Sequence, residues 1–82
     1  MGAVVEDCPP YQYSQIDVEL GGDGVCTVSL NRPHCRNAIS RVMTNELDDC
    51  FTRAERDPRV KVILLRGNGE HFSSGHDLGS AE

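Results

Sequence analysis

Residues 57–69 read Asp57-Pro58-Arg59-Val60-Lys61-Val62-Ile63-Leu64-Leu65-Arg66-Gly67-Asn68-Gly69, and this stretch decides the fold. Val62 to Leu65 are continuously apolar, whereas a strand wetted on one face alternates apolar with polar. The run therefore predicts a strand over Val60 to Leu65 with both faces covered, as in a parallel sheet. Asp57-Pro58 marks the end of a helix, because the residue before proline avoids the α region. Upstream, Met43, Leu47, Cys50, Phe51 and Ala54 recur at gaps of 4, 3, 1 and 3, which is one face of a helix. Glu46, Asp48, Asp49 and Arg53 fall off that face, and Ser40 is a natural N-cap. The spacing predicts a helix from Arg41 to Arg56.

Further upstream the period changes. Ile16, Val18 and Leu20 alternate with Gln15, Asp17 and Glu19, and Cys26, Val28 and Leu30 alternate again after Gly21-Gly22-Asp23-Gly24. Two period-two runs around a glycine-rich turn read as an antiparallel hairpin. Asn31-Arg32-Pro33 ends the second strand, since proline has no N–H for a ladder. Cys8-Pro9-Pro10 blocks helix at the start, and residues 1–10 read as a flexible lead-in. Strand, helix and apolar strand form a βαβ unit with a parallel pair and a right-handed crossover. The class is α/β.

The bulk numbers narrow the function classes. The chain has 82 residues and a net charge of −5, from 8 basic and 13 acidic residues. Such an acidic chain is a poor partner for nucleic acid or an anionic membrane. Its longest apolar run is far too short to span a bilayer. Met1 to Pro10 carry no basic segment followed by a long apolar one, so a cytoplasmic address is expected. A chain this short buries only ~60–65% of its unfolded surface, so a core built from it alone would be marginal. Four cysteines, Cys8, Cys26, Cys35 and Cys50, include no C-x-x-C pair and sit in no secreted context, which disfavours disulfides. A zinc site drawn from His34, Cys35, His71 and His76 matches no standard ligand spacing, and no metal is expected.

The least ordinary local sequence is His71-Phe72-Ser73-Ser74-Gly75-His76-Asp77-Leu78. It falls at the carboxyl end of the apolar strand, where open α/β sheets gather ligands. Gly75 lets a ligand approach the backbone. Asp77 is an N-cap for a segment beginning at Leu78, whose first N–H groups would point outward toward an anion or a carbonyl oxygen. On the residues alone, an ordinary capped turn with no ligand remains open. A lone His76 with no visible acid, base or nucleophile is a poor candidate for proton transfer.

The ordered set Val28-Ser29-Leu30-Asn31-Arg32-Pro33, Asn37-Ala38, Glu46-Leu47, residues 57–69 and Phe72-Ser73-Ser74-Gly75-His76-Asp77-Leu78 resembles the crotonase (enoyl-CoA hydratase/isomerase) superfamily over roughly residues 25–79. The resemblance implies a ClpP/crotonase spiral of ββα units. The chain would supply its N-terminal portion, hairpin, helix and parallel strand, with residues 11–82 an incomplete domain. It implies an acyl-CoA thioester substrate, no cofactor beyond the coenzyme A of that substrate, and a homotrimer or hexamer at full length. The reaction it favours is addition of water to a 2-enoyl-CoA. Two backbone N–H groups would hold the thioester oxygen as it becomes an enolate, one of them the N–H of His76. Gly75, Asp77, Leu78 and Gly79 would line the substrate site, and His34 and Cys35 would face the nucleotide or pantetheine part of coenzyme A.

Two departures bear on this. Many relatives carry a small residue where His76 stands. The family's glycine-rich segment with the second donor, and the acids that add water, lie beyond Glu82. Because Val62 to Leu65 need cover on both faces and one helix covers only one, the 82 residues are expected to be part of a longer polypeptide, and with those groups beyond Glu82 they are expected to be inactive alone. A shortened, noncatalytic structural or interaction module is the alternative.

Overall fold

This computed structural model describes residues 11–77. The elements, in chain order, are β1 (Ile16–Leu20), β2 (Val25–Leu30), a short 3-10 helix (Pro33–Cys35), α1 (Arg41–Arg56) and β3 (Val62–Gly67). They form one three-stranded sheet in the order β1-β2-β3. β1 pairs antiparallel with β2, with Ile16 opposite Leu30 and Leu20 opposite Cys26. β2 pairs parallel with β3, with Val25 beside Val62 and Leu30 beside Gly67. The hairpin and the parallel pair are as expected, and the lead-in over residues 1–10 lies outside the described residues.

Period-two alternation explains the core. Ile16, Cys26, Val28 and Leu30 are buried on one sheet face and meet Met43 and Cys50 from α1. The helix has the expected bounds. The Ser40 side chain accepts a hydrogen bond from the Met43 N–H (3.1 Å), a cap worth about 1 kcal/mol. Ser40 is itself buried and donates to the Gln15 side chain. Glu46 accepts from the Ser14 and Gln15 N–H groups (2.8 and 2.7 Å), which ties the chain entering β1 to the helix.

The carboxyl end of the helix is held by polar contacts. Tyr11 donates to Asp57 (2.9 Å), Tyr13 donates to Asp49 (2.7 Å), and Arg53 lies over the Tyr11 ring at 4.3 Å. Burial, with these carboxylate bonds, pushes both phenols up to about 12. Hydrogen bonds from Arg59 hold the Asp57 carboxyl well below the usual carboxylate range. Burial likewise pushes the Cys50 thiol up to about 11. Cys26, Cys35 and Cys50 are free thiols.

Two expectations change. The spacing puts Phe51 on the buried helix face, yet it is 37% exposed; Cys50 takes the inward position beside it, and adjacent helical residues cannot share one direction. The strand expected over Val60 to Leu65 runs over Val62–Gly67 instead. Val60 belongs to the preceding turn, where its N–H donates to Asp57 O (3.0 Å) and its side chain packs against the core.

The apolar run of β3 calls for cover on both faces, and one helix can supply only one. Val62, Ile63, Leu64 and Leu65 are 39–56% exposed, not covered. The core cluster joins Met43 and Cys50 of α1 to Ile16 of β1 and to Cys26, Val28 and Leu30 of β2, and includes no residue of β3. Among the described residues, β3 is thus an edge strand with two open apolar faces. In hydrogen exchange on the 82-residue chain, we expect the β3 amides to exchange well ahead of those of β2, which is paired on both sides. Equal protection of the two strands in a monomer would contradict this.

Candidate functional site

Two loops meet at the carboxyl ends of the parallel pair. One follows β2 and runs from Asn31 to Ser40, with the 3-10 helix at its tip; the other follows β3 and runs from Asn68 to Asp77. Asn68 begins their joining: its N–H donates to Leu30 O (2.9 Å) and its side chain donates to Asn31 Oδ1 (3.1 Å). Gly67 allows the second loop to turn back closely. A Cβ at Gly67 would lie 2.5 Å from Phe72 O and 2.8 Å from His71 O, so a side chain there collides with backbone.

The loop ends are laced as a single parallel bridge between Ile39 and His76. The Ile39 N–H donates to Gly75 O (2.8 Å), and the Asp77 N–H donates to Ile39 O (2.9 Å). Ser74 N–H donates to Arg36 O (2.9 Å), and Gly75 N–H donates to Ser73 Oγ (3.0 Å). In a bridge of this kind the flanking residues 75 and 77 make the bonds, and the central residue turns its own N–H and C=O to the other side. Among the described residues none accepts a hydrogen bond from the His76 N–H. Gly75 holds φ +100, a conformation that only glycine adopts without strain, and the space beyond its missing side chain is open.

Asp77 takes a role that the sequence did not suggest. Its carboxylate accepts from Arg32 Nη1 at 3.0 Å, with the two side chains only 14% and 11% exposed, and the same Arg32 nitrogen donates to Ala38 O (2.7 Å). The cap expected for a segment at Leu78, and the placement of Leu78 and Gly79, lie outside the described residues. His34 and Cys35 sit on the 3-10 helix, His34 exposed and Cys35 partly so. This turn abuts the second loop through Arg36 O, so Gly75, His76, Asp77, His34 and Cys35 all belong to one loop junction. Among the described residues no group of three histidine, cysteine or acidic side chains is arranged to hold a metal, and no helix is long and apolar enough to cross a membrane.

Sequence reading missed the residues that hold this junction together: Arg32, Asn37, Asn68 and Ser73. Arg32 and Asp77 are far apart in sequence, and nothing local announces their pairing. The legible signal was Asn37 itself, a residue type that tolerates left-handed backbone in a segment already known to turn.

The sequence model of the family described as enoyl-CoA hydratase/isomerase matches residues 21–82. The chain belongs to this family. Relatives of the enoyl-CoA hydratase/isomerase family resemble it along most of its length. It is 45% identical over 74 residues to EchA13 of Mycobacterium tuberculosis, named as an enoyl-CoA hydratase, covering 89% of this chain and 23% of that protein. It is 32% identical to the human mitochondrial delta(3,5)-delta(2,4)-dienoyl-CoA isomerase, covering 94% of this chain and 24% of that one. A crystal structure of an enoyl-CoA hydratase/isomerase from Xanthobacter autotrophicus superimposes with a TM-score of 0.78 at 42% identity, over 82% of this chain and 24% of the other. The architecture is thus the crotonase-type α/β fold, and the chain spans about a quarter of the length of these relatives.

Proposed function

We propose that the protein carrying this chain is an acyl-CoA enzyme that adds water to a 2-enoyl-CoA. The His76 N–H is one of two backbone donors to the thioester oxygen as it becomes an enolate. The observation that carries this reading is the Ile39–His76 bridge, which turns the His76 N–H away from its neighbours beside the open space at Gly75. A donor fixed in advance where negative charge develops stabilises the transition state more than the ground state.

Gly75 gives the substrate access, and Asp77, held by Arg32, fixes the far side of the donor. Leu78 and Gly79 continue the lining, while His34 and Cys35 face the coenzyme A portion. No cofactor is required beyond that coenzyme A. The second donor and the acid–base groups come from elsewhere in the full-length protein, which assembles as a homotrimer or hexamer in the cytoplasm. Hydration is preferred to double-bond migration because the higher-identity relative bears the hydratase name, although the isomerase name occurs among the matches as well.

The test is an ultraviolet assay of the full-length protein with a short 2-enoyl-CoA, followed by mass measurement of the product. Loss of the conjugated thioester absorbance with a product one water heavier is expected. A product of unchanged mass would make the enzyme an isomerase. Absence of both turnover and thioester binding would overturn the reading. The 82-residue chain alone is expected to show no turnover above the uncatalysed rate, because one donor without an acid–base pair leaves the reacting groups unpositioned.

A further inference from the structure

A single asparagine joins the two loops. Asn37 is 0% exposed and stands at φ 55, directly after Arg36 at φ 56. Two successive left-handed residues with side chains are unfavourable, and persist only where surrounding bonds over-determine them. Here the bonds are plain. Within its own loop, the Asn37 N–H donates to Arg32 O (2.8 Å), and Asn37 Oδ1 accepts from the Arg32 N–H (2.7 Å). Toward the other loop, Asn37 Nδ2 donates to both Asn68 O (2.7 Å) and His71 O (2.8 Å). Its own carbonyl accepts from the Ser73 hydroxyl (2.8 Å), and that hydroxyl oxygen accepts from the Gly75 N–H.

One side chain thus makes three hydrogen bonds, all to backbone, and two of them reach both ends of the turn that leads to Gly75. The amide fits where a carboxylate or an alkyl group would not: it offers one acceptor to an N–H and two donors to two carbonyls. We propose that Asn37 is a positioning residue for the His76 amide. It fixes the 68–73 turn against the β2 loop, and through Ser73 and Gly75 it sets the direction of the His76 N–H. The proposal rests on the donor reading of His76 given above.

The test uses the full-length protein with Asn37→Asp and Asn37→Gly. Asp keeps the acceptor toward Arg32 but faces two carbonyls with an oxygen; Gly keeps the left-handed backbone and loses the side chain. The readouts are the vibrational frequency of the thioester carbonyl of bound enoyl-CoA, kcat against KM, and amide exchange at Ile39, Ser74 and Asp77. Wild type is expected to shift the carbonyl to lower frequency. Both variants should bind with KM within a few-fold yet lose most of that shift, and kcat should fall about tenfold to a hundredfold, the scale of a misplacement near 1 Å. Exchange at the three amides should quicken while β2 stays protected.

Full recovery of the shift and kcat in Asn37→Gly would mean that only the backbone conformation mattered, and would overturn the side-chain assignment. Should neither variant fold, Ser73→Ala decides: an unchanged carbonyl shift there overturns the proposal. A wild-type protein that binds the thioester with no carbonyl shift would instead sink the His76 donor reading, and the proposal with it.

Discussion

Replacing His76 by proline in the full-length protein is expected to lower kcat by about 10²–10³, the usual cost of removing one oxyanion donor. Replacing it by alanine should keep kcat within about tenfold, because no proton-transfer group is removed. The bridge makes this comparison cleaner than it would be elsewhere. Its bonds use Gly75 O, both polar groups of Ile39 and the Asp77 N–H, so proline at position 76 deletes a donor that no described residue uses. Proline does restrain Gly75, which already stands at φ +100. Matching circular dichroism and oligomer profiles are therefore required before rates are compared. If alanine proved as damaging as proline in two well-folded proteins, the imidazole itself would be acting, and the backbone assignment would fall.

Gly67→Ala is expected to be the most damaging single-methyl change in the loop junction. The added carbon would lie 2.5 Å from Phe72 O, 2.7 Å from Phe72 Cα and 2.8 Å from His71 O, all backbone atoms that cannot swing aside. The 71–72 segment must move, and His71 O is one of the two carbonyls that Asn37 holds. Overpacking of this kind costs typically about 1–3 kcal/mol, and displacing the loop should reduce kcat along with stability. Gly22→Ala is the control, since nothing lies within 4 Å of a Cβ there. Thermal unfolding and kcat of both variants check the prediction. A Gly67→Ala protein that matched Gly22→Ala in both would show that the second loop is free to shift without consequence.

The parts of the fold that follow from one-dimensional periodicity were legible. Ile16, Val18 and Leu20 fixed one strand face, and Met43, Cys50 and Ala54 fixed the helix stripe. Ser40 and Asp57-Pro58 fixed the helix ends, because caps and proline act locally. Phe51 was misjudged because a stripe read from spacing is wider than the strip of helix that meets a sheet. The apolar run of β3 correctly announced a parallel strand. The cover that the run calls for is not supplied among the described residues, and the run itself does not say which element would supply it.

At the candidate site, the glycine and histidine were visible as unusual residues, whereas the bonds that orient them were not. Arg32 with Asp77, and Asn37 with Asn68 and His71, are contacts between loops that follow different strands. Such pairs leave no periodic trace, and only the folded chain brings them together.

The exposed β3 has a consequence for biosynthesis. A four-residue apolar segment on an open sheet edge is the kind of surface that recruits a second nascent chain. In this sequence Lys61 immediately precedes it and Arg66 immediately follows it, both exposed. Two like charges bracketing the segment disfavour its in-register stacking on an identical copy, the gatekeeper role of flanking cations beside unavoidable hydrophobic strands. The two flanking cations thereby disfavour self-association through β3 while it is uncovered.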